Sequence, residues 1–173
     1  MFRKNALLRN AFSLFAVFAL VMGALSFVGC NDDSGFVDDH KLNSGLIDDW
    51  KYTFAEGYDQ YMIDATKLVY TFNYGGVTTS FTGSIEYIYN FSETAGVIIV
   101  QYTAYNLGYG ATVGQYQGVY FRDLTALTVK LGSAYASDYS VVEVADLAAA
   151  KEKFKSFRLY GGELSAATPL TRQ

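Results

Sequence analysis

Cys30, His40 and the adjacent pair Asp48-Asp49 are the residues of this chain whose chemistry invites a function first. A thiol is a nucleophile, but Cys30 is the only cysteine in 173 residues and has no partner for a disulfide within the chain. His40 is the only histidine. One imidazole in an acidic stretch has no second imidazole with which to share a metal, so it reads as a solvated side chain and no metal site is expected. Serine and threonine nucleophiles need a base, and His40 is too isolated from the strand-forming body to serve as one. Asp48 and Asp49 are a candidate acid and base, yet neighbours on a strand point to opposite faces and do not converge on one substrate. Gly108-Tyr109-Gly110 lacks the following helix that a phosphate cradle requires. The chain is therefore read as a non-enzyme that uses no cofactor.

Cys30 gains its meaning from the residues before it. Arg3, Lys4 and Arg9 stand at the start without an acidic neighbour, and residues 11–28 are almost wholly apolar. This is the charged then hydrophobic pattern of a secretory signal. Eighteen apolar residues are long enough to span a bilayer. Against a retained span, Gly23, Ala24, Ser26 and Gly29 make the end of the run small, and the residues after Cys30 are acidic where a stop-transfer segment would be basic. The tetrad Phe27-Val28-Gly29-Cys30 resembles the lipobox of bacterial lipoproteins. That resemblance implies cleavage before Cys30 by a peptidase that reads Phe27, Val28 and Gly29. It also implies a diacylglycerol thioether on Cys30, usually joined by a third acyl chain on the new amino terminus. Two or more chains anchor a protein stably where one does not. The expected address is the cell envelope, with the outer membrane favoured over the inner.

Cleavage before Cys30 removes 29 of the 173 residues and leaves 144, which fits one domain. Three of the thirteen basic residues go with the signal and none of the seventeen acidic ones, leaving ten against seventeen and a formal charge of −7. An acidic chain without a basic stripe disfavours nucleic acid and peripheral adhesion to anionic lipid. Membrane contact is expected through Cys30 alone. All fifteen tyrosines and the single tryptophan lie beyond the cleavage point, and the only proline is Pro169, so the body carries strand composition with nothing to forbid ladder hydrogen bonds.

The elements come from period and punctuation. Residues 30–47 are polar and acidic and read as a tether, 48–160 as the folded body, and 161–173 as a frayed tail. Trp50, Tyr52 and Phe54 alternate with Lys51, Thr53 and Ala55, the mark of a strand with one aromatic face. Residues 58–63 and 67–72 come next, the latter with Leu68, Tyr70 and Phe72 on one side. Asn73-Tyr74-Gly75-Gly76 is the clearest hairpin turn. Residues 78–91 form a long strand with Ile85, Tyr87, Tyr89 and Phe91 on one face and Ser84, Glu86 and Asn90 on the other, with Gly83 at a bend or bulge. Residues 97–102 are β-branched and continuous, the strand expected to be most buried. Strands at 115–122, carrying Tyr120, and at 127–131 complete the run. The period then changes: Leu147, Ala150, Phe154 and Phe157 share a helical stripe, with Asp146 as N-cap and Lys151, Lys153 and Lys155 on a solvated face. A short strand at 158–160 would be the eighth.

Eight short strands joined by turns, with one C-terminal helix, predict a mainly β fold: an antiparallel meander closing into a barrel. A barrel of that size is filled by its own side chains or holds one small ligand. Between residues 42 and 160 the chain resembles a small lipocalin-like lipoprotein, on its Leu42-Asn43 lead-in, Trp50 in the first strand, the strands at 83–91 and 96–102, and the late helix. The resemblance implies a cup for a small apolar or aromatic molecule. Trp50, Tyr52, Phe54, Tyr70, Phe72, Tyr87, Tyr89 and Tyr120 are the rings expected to line or fill it. The competing expectation is a surface interaction protein, an adhesin-like or structural antigen with a packed interior whose exposed tyrosines meet an envelope protein or glycan. Interior volume separates the two.

Overall fold

Alternation along 48–63 and the glycine pair at 75–76 set the first hairpins. Gly75 and Gly76 take φ of 57° and 81°, left-handed values that glycine adopts without steric penalty. The computed structural model describes residues 39–106, 112–134, 142–156, 164 and 167–173. Four strands run consecutively as antiparallel neighbours: β1 (Asp48–Phe54), β2 (Gly57–Ile63), β3 (Lys67–Tyr74) and β4 (Val77–Ser92). They continue into β5 (Ala95–Asn106), β6 (Tyr116–Arg122) and β7 (Thr128–Ser133). A two-residue strand β8 (Glu143–Val144) adds to β6, helix α1 (Leu147–Phe154) comes after it, and β9 (Leu170–Arg172) pairs with both β7 and β1. That double pairing closes an eight-stranded antiparallel barrel, with β8 outside the ring.

The closing strand differs from the expected one. The sequence places the eighth strand at 158–160, which lies outside the described residues, and a tail at 161–173. Instead Leu170–Arg172 completes the ring, with Trp50 opposite Arg172 and Val129 opposite Leu170. Pro169 sits immediately before it, where its missing N–H removes no ladder bond. The tether is shorter too. From residue 39 the chain lies on the barrel: Asn43 Nδ2 donates to the Glu93 carbonyl at 2.9 Å, the Lys41 carbonyl accepts from Asn90 Nδ2 at 3.0 Å, and Leu46 is buried in a single 3-10 turn over Ser44–Leu46. His40 is exposed to solvent but rests against the barrel. Its Nδ1 is 3.2 Å from the Ile88 carbonyl and its ring lies 4.8 Å from that of Tyr87.

Two apolar layers hold the fold, one inside the ring and one outside it. The inner layer includes Trp50, Tyr61, Leu68, Phe81, Ile98, Tyr102, Val119 and Phe121. The outer one, on β5 and β6, joins Val97, Ile99 and Tyr120 to Ala150 and Phe154 of α1. Covered on both faces, β5 is buried without break from Gly96 to Val100, as its uninterrupted apolar run demands. Gly118 makes the helix contact: a Cβ there would lie 2.9 Å from Phe154 Cγ. Asp146 caps α1 by accepting from the Ala149 N–H at 2.8 Å.

Candidate functional site

Register sorts the inward face into rows that run around the barrel, because residues paired across strands share a face. The lowest row is the closed end. Trp50 is fully buried and its Nε1–H donates to the Leu46 carbonyl at 2.9 Å. The Arg172 guanidinium lies 4.8 Å over the Trp50 ring, its Nε is 2.8 Å from Asp48 Oδ2, and its Nη2 donates to the Gly45 carbonyl at 2.7 Å. One cation thus ties the 3-10 turn, the first strand and the last strand together. Asp49, on the opposite face, accepts from Gln60 Nε2 at 2.8 Å, so the two adjacent carboxylates do part company.

Above that plug the rings climb the wall. Tyr61 pairs with Trp50 and Tyr70 with Tyr61, and the series Tyr61, Tyr70, Phe81, Tyr102 and Tyr105 packs ring to ring at 4.7 to 5.4 Å between successive centroids. Tyr102 donates its hydroxyl to Oε1 of the buried Gln117. The next row sets Tyr52 opposite Asp59, Asp59 opposite Phe72, and Phe72 opposite Thr79. The last row is Phe54, Gly57, Tyr74 and Val77. Glycine leaves room there for the Phe54 and Tyr74 rings to meet at 6.3 Å. These upper rows are aromatic yet open: Tyr52 is 39% exposed, Tyr74 41% and Val77 66%.

Asp59 is the carboxylate of that wall. It is mostly buried, and burial lifts its carboxyl from 3.8 to about 6 against a lowering hydrogen bond from the Tyr70 side chain. Its Oδ1 is shut off from solvent and meets no donor. At the rim Tyr74 bonds the Glu56 carboxylate, whose negative charge pushes the phenol's ionisation up. Sequence reasoning misses Asp59, although strict alternation from Tyr61 and Ile63 places it on the apolar face. Glu143, on β8, is a second carboxyl raised by burial, opposed by a bond from the Thr112 backbone.

Of the rings expected in the cup, Trp50, Tyr52, Phe54, Tyr70 and Phe72 share the inward face. Tyr87, Tyr89 and Tyr120 do not; they lie in the outer layer beneath α1. The correction has a cause. The register slips between Ile85 and Tyr87, so Ile85 faces Val100 inside while Tyr87 pairs with Ile99 of the outer layer. The extra residue Glu86 inverts the face of the strand from Tyr87 to Asn90, where the register slips again. Outside, Tyr87 lies under Lys151 Nζ at 3.6 Å and Tyr120 donates to the Phe154 carbonyl at 3.1 Å. Lys151 is therefore engaged with a ring, not simply solvated.

A groove of about 830 Å³ runs outside the closed end, between Asp39–Gly45 and the turns at Glu93 and Thr125. It is open and of mixed charge, and Arg172 at its edge is already committed to Asp48 and Gly45. Among the described residues no group of three or more His, Cys, Asp or Glu side chains is placed to hold a metal, and no helix is long and apolar enough to cross a membrane. Phe27, Val28, Gly29 and Cys30 lie outside the described residues. No protein-family model, no curated protein and no solved structure matches the chain.

Proposed function

We propose that this chain is a lipoprotein of the bacterial cell envelope, outer membrane favoured over inner, held by acyl chains on Cys30, whose lipocalin-like barrel receives a small apolar or aromatic molecule at its open end. The observation that carries the binding half is the contrast between the two ends. Trp50, Leu46 and Arg172 plug one, whereas Tyr52, Phe54, Phe72 and Tyr74 stand as a half-exposed aromatic wall at the other. Large rings left accessible at a concave end are what a cup for an apolar molecule needs. The anchoring half rests on the sequence around Phe27-Val28-Gly29-Cys30.

The packed lower half favours the alternative, a filled barrel that acts through its surface on an envelope protein or glycan. Phe81, Tyr102 and Phe121 fill positions that a deep cup would leave empty. One measurement separates the readings: mass spectrometry of the protein purified from its native envelope, released under denaturing conditions. A stoichiometric small molecule supports the cup, and protein without one supports the filled barrel. For the anchor, Cys30→Ala should abolish incorporation of labelled palmitate and leave the signal segment uncleaved; continued labelling would overturn it.

A further inference from the structure

The open end carries more than rings. Asp59 is set into the aromatic wall between Tyr52 and Phe72, and its Oδ1 is buried without a donor. A carboxylate in that position is a poor fit to a neutral apolar molecule, because a desolvated charge needs a counter-charge or a donor. Aromatic faces attract cations through their quadrupole, most strongly where water is excluded. The rim adds a second negative group, the Glu56 carboxylate at Tyr74.

We propose that the molecule taken by the open end is a small organic cation, an amine bearing an apolar or aromatic body, with its ammonium on Asp59 and its body against Tyr52, Phe54 and Phe72. This rests on the reading of the barrel as a cup and narrows it to one charge class. The ammonium adds a counter-charge to the Asp59 carboxylate, which the Tyr70 side chain bonds but does not neutralise, and the rings contact both the cation and the body. Anions are repelled by Asp59 and Glu56 alike. The flanking ionisable groups are the phenols of Tyr52 on β1 and of Tyr70 and Tyr74 on β3, with Glu56 in the adjoining turn. Arg172 and Asp48 face each other at the far end. Asp59, which sits at about 6, changes charge between pH 5 and 8.

The test is titration calorimetry on the full chain in detergent with phenethylammonium, its neutral counterpart phenethyl alcohol, and phenylpropionate. The amine should bind at pH 8 at least about tenfold more tightly than the alcohol, and the acid not at all. Asp59→Asn should remove the amine's advantage and spare the alcohol. Should that variant fold poorly, the unaltered protein gives an independent readout: amine affinity should fall towards tenfold per pH unit below about 6, while alcohol affinity stays flat. Equal binding of amine and alcohol overturns the cation while leaving the apolar cup standing. Binding of none of the three overturns both.

Discussion

Replacing Asp59 by Asn keeps the shape of the side chain and removes its charge, and it should make the protein more stable at pH 8. Burial raises the Asp59 carboxyl from 3.8 to about 6. The folded state therefore keeps this proton to higher pH than the unfolded chain does, and stability falls as pH rises through the interval between those two values. Below about 3.8 the group is neutral in both states and imposes no penalty; above about 6 the penalty is complete. One pH unit of difference is worth ~1.4 kcal/mol, so the full penalty is about 3 kcal/mol. An amide still needs partners in that wall, which returns part of the gain, and a net stabilisation of about 1 to 3 kcal/mol is expected at pH 8. Urea denaturation monitored by emission of the buried Trp50 reads it directly, compared at pH 4 and pH 8. At pH 4 the two proteins should unfold at nearly the same midpoint. A variant no more stable at pH 8, or equally shifted at both pH values, would refute the claim that Asp59 is held desolvated and charged.

Three further changes probe the frame around that wall. Arg172→Ala removes the cation shared by Asp48, Gly45 and the Trp50 ring; with both charges about one third exposed, a loss of about 2 kcal/mol in urea stability is expected, and Lys should not rescue it because one ammonium cannot serve three partners. Gly118→Ala places a methyl 2.9 Å from Phe154 Cγ and should cost about 1 to 3 kcal/mol by overpacking, seen as a lower thermal midpoint by circular dichroism. Deleting residues 170–173 should strip β1 and β7 of their shared neighbour, raising amide hydrogen exchange at Lys51 and Val129.

The legible part of the sequence is local. Trp50 with Tyr52 and Phe54, the Gly75-Gly76 turn and the Leu147-Ala150-Phe154 stripe each carry period and punctuation within a few residues, and each produces the element expected. The bulge at Glu86 is not legible, because Ile85, Tyr87, Tyr89 and Phe91 satisfy a single period of two and nothing in their types marks the slip. Gly83, the expected bend or bulge, does sit at a register shift, between Thr82 and Gly83, and there β4 passes closely under Val100, with a Cβ position 2.8 Å from its side chain. The closing strand is hidden by its brevity: three residues after a proline carry no periodicity, and only β1 and β7 give them strand character. Within the candidate site the rings are foreseeable and the carboxylate is not, since an acid among tyrosines reads as solvated until alternation from Tyr61 is traced through it.

The seam between β1 and β9 has a consequence for how the protein is made. Thr171 Oγ1 bonds the carbonyl of Lys51 across 120 positions of sequence, so the ring stays incomplete until residues 170–172 have emerged from the ribosome. Contacts of that separation form late, because a very large loop must close before they repay it. Until then the unpaired flanks of the first and seventh strands offer edges to any other extended segment, including a second copy of the same nascent chain. Residues 170–172 are the latch that ends that vulnerable interval.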